Sequence, residues 1–96
     1  MAKYILLLNW TDQGIKAIKD SPKRLDAARQ AAAKAGLTMG DFYMTIGGYD
    51  MVLHAEAHDD AALAKFVLAV ASGGNVRTTT LKAFPEAEYR EIVAGL

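Results

Sequence analysis

The sequence predicts an α+β fold of element order βαββαβ, with four strands in one antiparallel sheet, both main helices on one face and a short helix at the C-terminus. Three observations predict it. Two helical stripes alternate with strand-like runs, Gly-Gly and Asp-Ser-Pro breaks separate them, and the first run, residues 3–10, is apolar at nearly every position. A strand of that last kind is covered on both faces, which places it centrally in the sheet.

After this strand, Thr11 or Asp12 can cap a short helical turn carrying Ile15 and Ile18. Asp20-Ser21-Pro22 then restarts the helix, with Ser21 predicted at the N-cap and Pro22 at the first helical position. This helix runs to about residue 35 on an alanine-rich body, and Gly36 stands where a glycine in the left-handed region ends one. Residues 41–46 alternate Phe42, Met44 and Ile46 against Asp41, Tyr43 and Thr45, the period of a half-buried strand. Gly47-Gly48-Tyr49-Asp50 breaks the run, and residues 51–57 resume it as the second arm of a hairpin. In this turn Gly47 and Gly48 are expected to supply positive φ, so Gly48→Val should destabilise it.

Asp59 or Asp60 caps the next helix, whose Leu63, Phe66, Val67, Val70 and Ala71 form a core-facing stripe ended by Gly73-Gly74. Residues 76–84 are threonine-rich and β-prone. Beyond Pro85 the last helix carries Tyr89, Ile92, Val93 and Leu96 on one side.

Composition narrows the function classes. With 96 residues the chain has room for one core, so residues 1–96 are read as one domain. Eleven basic residues balance eleven acidic ones, leaving no field to gather nucleic acid or an anionic membrane. The absence of cysteine removes disulfides, thiolate catalysis and Cys-based metal sites. No stretch approaches membrane-spanning length and the N-terminal apolar run lacks a signal-peptide pattern, so a cytoplasmic location is expected. The 52% apolar content exceeds what so small a core needs, and the first strand is apolar on both sides. The terminal helix can hide only part of the free sheet face, so a second copy is its expected cover and a homodimer the expected state.

Four stretches carry a resemblance: residues 9–14 (Asn-Trp-Thr-Asp-Gln-Gly), residues 19–24 (Lys-Asp-Ser-Pro-Lys-Arg), Gly48-Tyr49-Asp50, and residues 74–78 (Gly-Asn-Val-Arg-Thr). In this order they resemble the GYD domain family, named for its tripeptide. The resemblance implies a ferredoxin-like fold of the dimeric α/β-barrel type, in which two sheets pack face to face, sometimes around a pocket. That group includes cofactor-free monooxygenases, lactone isomerases and haem proteins, so it implies a fold and no single reaction.

Alternation puts Val52, His54 and Glu56 on the sheet face away from the helices, where Tyr43 and Asn9 can join them, while Tyr49 and Asp50 stand at the rim. His54, Glu56, Tyr43, Asn9, Tyr49 and Asp50 are the candidate pocket residues. A histidine there can orient an anionic or phenolic ligand. His54 and His58 lie roughly 13 Å apart along a strand, too far to share one ion, so no metal is expected; no cofactor motif is present either. Ser21-Pro22-Lys23-Arg24 reads as a cap beside surface charges. The expectation is a small-molecule-binding module. Its alternatives are a cofactor-independent enzyme of monooxygenase or isomerase type and an assembly protein without a ligand.

Overall fold

In the computed structural model, which describes residues 1–96, the chain forms β1 (Ala2–Trp10), α1 (Asp12–Lys16), a 3-10 turn (Ile18–Asp20), α2 (Ser21–Lys34), β2 (Thr38–Met44), β3 (Met51–Ala57), α3 (Asp60–Ser72), β4 (Val76–Ala83) and α4 (Glu86–Ala94). The strands make one antiparallel sheet of order β2-β3-β1-β4, the ferredoxin-like arrangement. β1 lies centrally, as its apolar run predicts.

Strand parity divides the two faces. Tyr4, Leu6 and Leu8 are buried directly opposite Ala55, Leu53 and Met51, and Ala32 of α2 with Leu63 and Phe66 of α3 complete the core above them. The odd residues of β1 take the other face: Ile5 lies between His54 and Leu81, and Leu7 between Val52 and Thr79. His54, Leu81 and Tyr43 are exposed there, so this face is open.

Local chemistry explains the element ends. The Thr11 hydroxyl accepts from the Gly14 amide at 3.1 Å, and the Asp59 carboxylate from the Ala62 amide at 2.8 Å, each satisfying a first-turn donor. Gly36, at φ 78°, ends α2 in a Schellman motif: the Leu37 amide donates to Ala32 and the Gly36 amide to Ala33. Leu37 is thereby buried in the core.

Four expectations need correction. Ser21 is not an N-cap; it is helical at φ −55°, its amide donates to Ile18, and the 3-10 turn runs into α2 with no side-chain cap. β2 begins at Thr38 and ends at Met44, because a bulge sets Gly40 and Asp41 against His54 alone; Ile46 falls outside the strand and is exposed. In the hairpin turn only Gly47 has positive φ, 146°, and Gly48 does not. Finally, α4, expected to hide part of the free sheet face, has no substantial packing against any other element, and Tyr89, Ile92, Val93 and Leu96 are exposed.

Candidate functional site

On the open face a cavity of about 310 Å³ is lined by Lys3, Ile5, Gly40, His54, Glu56 and Phe84, among others. β3 places His54 and Glu56 on one side two residues apart, and antiparallel pairing sets Lys3 opposite Glu56. Their charges meet at 3.3 Å. The His54 ring meets Tyr43 edge-on, with centroids 6.2 Å apart and planes at 65°. Gly40 at the bulge lets the β2 backbone lie close to His54, since a Cβ on Gly40 would stand 3.4 Å from that of His54. The cavity therefore offers an imidazole, an ammonium–carboxylate pair and an apolar wall.

The other predicted pocket residues lie elsewhere. Asn9 is four residues along β1 from Ile5, roughly 13 Å away, and its side-chain oxygen accepts from the Asp50 amide at 3.1 Å. Asp50 in turn accepts from the Trp10 amide at 3.0 Å. Tyr49 is exposed, and its carbonyl accepts from the Thr45 hydroxyl. Asn9 and Asp50 tie β1 to the hairpin instead of lining the cavity.

A larger cavity of about 600 Å³, not foreseen from the sequence, lies between the helix side of the sheet and the splayed helices α2 and α3. Trp10, Phe42 and Phe66 line it, and Ala27, Ala28 and Ala31 of α2 with Ala69 of α3 leave it unfilled. A sealed void of this volume would cost roughly 24 cal/mol per Å³. That would match the entire stability of an ordinary domain, about 5–15 kcal/mol. The cavity is an open groove, and an apolar occupant would fill it more favourably than water. The available signal was the alanine run, which reads as helix propensity and equally means absent volume.

Three of the four stretches that carry the family resemblance, residues 9–14, 19–24 and 74–78, gather at the mouth of this groove. The Thr11 amide donates to the Asn75 carbonyl at 3.0 Å and the Thr11 hydroxyl to Gly74; the Gln13 side chain donates to Gly73 and to the Asn75 side chain, each at 3.1 Å. A Cβ on the buried Gly14 would stand 2.0 Å from the Asn75 carbonyl oxygen, so this crossing admits only glycine. Arg24 donates to Ala17 and Gly14 from the groove wall. The Trp10 indole N–H is buried beside this wall without an acceptor.

A titratable cluster spans the other end. The Tyr4 hydroxyl donates to Asp60 at 2.5 Å, and Lys82 lies 3.3 Å from the same carboxylate, pinning the start of α3 to β1 and β4. The hydrogen bond to Asp60, then burial, pushes the Tyr4 phenol up to about 12. The same bond, with Lys82 beside it, holds Asp60 below the usual carboxylate range. No three His, Asp or Glu side chains converge as metal ligands, and no helix is long and apolar enough to cross a membrane.

Sheet order and core define a ferredoxin-like α+β protein with an open sheet face. Residues 4–93 match the GYD domain family, and the chain belongs to it. It is 35% identical over 89 residues to a Thermus thermophilus protein named "Glutamine synthetase and cystathionine beta-lyase binding protein", covering 92% of this chain and 94% of that one. The fold resembles the M. tuberculosis feast or famine regulatory protein complexed with L-methionine (TM-score 0.66, 17% identity, 88% of this chain, 51% of that one). It also resembles the protein TTHA0845 from Thermus thermophilus (TM-score 0.57, 25% identity, 88% and 95%). This chain spans about half the length of the regulator.

Proposed function

We propose that this GYD protein is a non-catalytic binding module whose open sheet face pairs with a second copy and holds a small molecule at His54. The observation that carries the reading is the open-face cavity. Its groups bind and orient, with an imidazole, a Lys3–Glu56 pair and the apolar Phe84, and no activated nucleophile accompanies them. A ligand with one anionic or phenolic group on a small apolar body suits this set, the polar group meeting His54 and the body Ile5 and Phe84. A partner sheet laid over Ile5, Leu7 and Leu81 would wall the cavity and raise its electrostatic discrimination.

The test follows the His54 ring by NMR while small carboxylic acids and phenols are screened, with His54→Ala as the control. Saturable ring shifts, lost binding in the variant and preserved melting support the reading. Binding unaffected by His54→Ala, or no ligand from either class, overturns it.

A second reading draws on the relative named as a binding protein for two enzymes. In this reading the open face docks on a metabolic enzyme, and the small molecule is replaced by an enzyme side chain. Co-elution with glutamine synthetase, abolished by Leu81→Glu, would favour it over the small-molecule reading.

A further inference from the structure

We propose that α4 docks, in a second copy of the chain, into the apolar groove between α2, α3 and the sheet. Nine residues of helix without substantial tertiary packing fall short of the length at which isolated helices persist in water, so α4 needs a surface to rest on. Its stripe of Tyr89, Ile92 and Val93 has the i, i+3, i+4 spacing of a buried face, with Leu96 just past the helix end, yet all four are exposed. The same chain carries a groove of about 600 Å³ lacking apolar fill, with alanines where the facing helix would insert bulk. The two features are complementary.

The chain's own α4 cannot fill the whole length of the groove. β4 carries the chain away from it, since Val76 pairs with Trp10 at the groove mouth and the chain leaves the sheet beyond Ala83, paired with Lys3 at the far end. Only Phe84 and Pro85 separate β4 from α4. Folded back along β4, about 14 Å of helix would cover about half of the roughly 26 Å strand. The Trp10 end would stay empty, and the helix of a second copy, free of this tether, can fill it.

Charge favours this pairing. α4 carries Glu86, Glu88 and Glu91 against Arg90, while the groove wall at the start of α2 carries Arg24, flanked in sequence by Lys19 and Lys23 against Asp20 and Asp26. An acidic helix therefore meets a basic rim, which speeds encounter and sets orientation. The groove mouth is built by the Thr11–Asn75 clasp and Arg24, so three of the stretches that carry the family resemblance shape the receptor.

The chain has no cysteine, which makes disulfide trapping clean. Val93→Cys on α4 and Ala28→Cys on the groove wall, combined in one full-length chain and oxidised, should link separate chains covalently, while neither single variant does. An intramolecular bond at monomer mass, dimers from Val93→Cys alone, or no bond at all would overturn the proposal. A second measurement needs no cysteine: amide exchange in α4 of the unaltered chain should slow as protein concentration rises, and Ile92→Asp should abolish that slowing. Concentration-independent exchange, or native mass spectrometry showing a small molecule seated in the groove of a monomer, would also overturn it. Neither trapped position lies on the open sheet face, so this test stands or falls separately from the His54 reading.

Discussion

Asn9 and Asp50 hold each other across the hairpin end of the sheet: the Asn9 side chain accepts from the Asp50 amide, and the Asp50 carboxylate accepts from the amide of Trp10, the residue after Asn9. Removing the carboxylate leaves a partly buried amide without its acceptor. Asp50→Ala should therefore cost about 1–3 kcal/mol. Urea unfolding followed by Trp10 fluorescence measures it, and His54-dependent ligand binding should persist in the folded variant. An unchanged midpoint would show the tie to be idle.

The hairpin turn separates its two glycines. Gly47 has φ 146° and Gly48 an ordinary φ, and neither would crowd an added Cβ. Gly47→Val should destabilise by about 1 kcal/mol or more, and Gly48→Val by much less. Equal melting temperatures for the two variants would contradict the backbone assignment.

Gly14 is governed by contact instead of φ. Its added Cβ would strike the Asn75 carbonyl, a backbone atom that cannot step aside without opening the clasp at Thr11. Gly14→Ala should cost about 2 kcal/mol or more, read from thermal or urea unfolding, and a neutral substitution would mean that the α1 to β4 approach is looser than described.

The Tyr4–Asp60 bond predicts two limbs of pH dependence. Asp60 has a lowered folded pKa, so its contribution is present above the ordinary carboxylate range and is lost as pH falls through the folded value. Tyr4 is raised to about 12, so its contribution is complete below pH 10, the unfolded value, and is lost as pH rises from there through 12. Melting temperature against pH should fall at both ends, and Tyr4→Phe should flatten both limbs. A Tyr4→Phe profile parallel to that of the unaltered protein would refute the coupling.

The strand faces were legible because period-two alternation is local: Met51, Leu53 and Ala55 went to the helix layer and His54 to the other side as read. The stop at Gly36 was legible for the same reason, and the two caps were legible to within one residue, Thr11 being taken over Asp12 and Asp59 over Asp60. What escaped depends on distant or missing atoms. Ser21 looks like a cap until the preceding 3-10 turn supplies a backbone acceptor for its amide. Tyr4 and Asp60 are 56 positions apart, beyond any local pattern. The groove is an absence of volume opposite alanines, and the placement of α4 depends on where β4 releases the chain. Asn9 and Asp50, read as pocket groups from their chemistry, are engaged with backbone amides.

Cover of the open sheet face by a second copy, walling the His54 cavity, is tested most directly by isotope-filtered NMR on mixed labelled and unlabelled chains. Intermolecular contacts to the methyl groups of Ile5, Leu7, Val52 and Leu81 are expected, as is their loss in Leu7→Glu together with weaker ligand binding at His54. Intermolecular contacts absent from these methyls, with all four open to a soluble paramagnetic probe at concentrations where ligand binds, would contradict it.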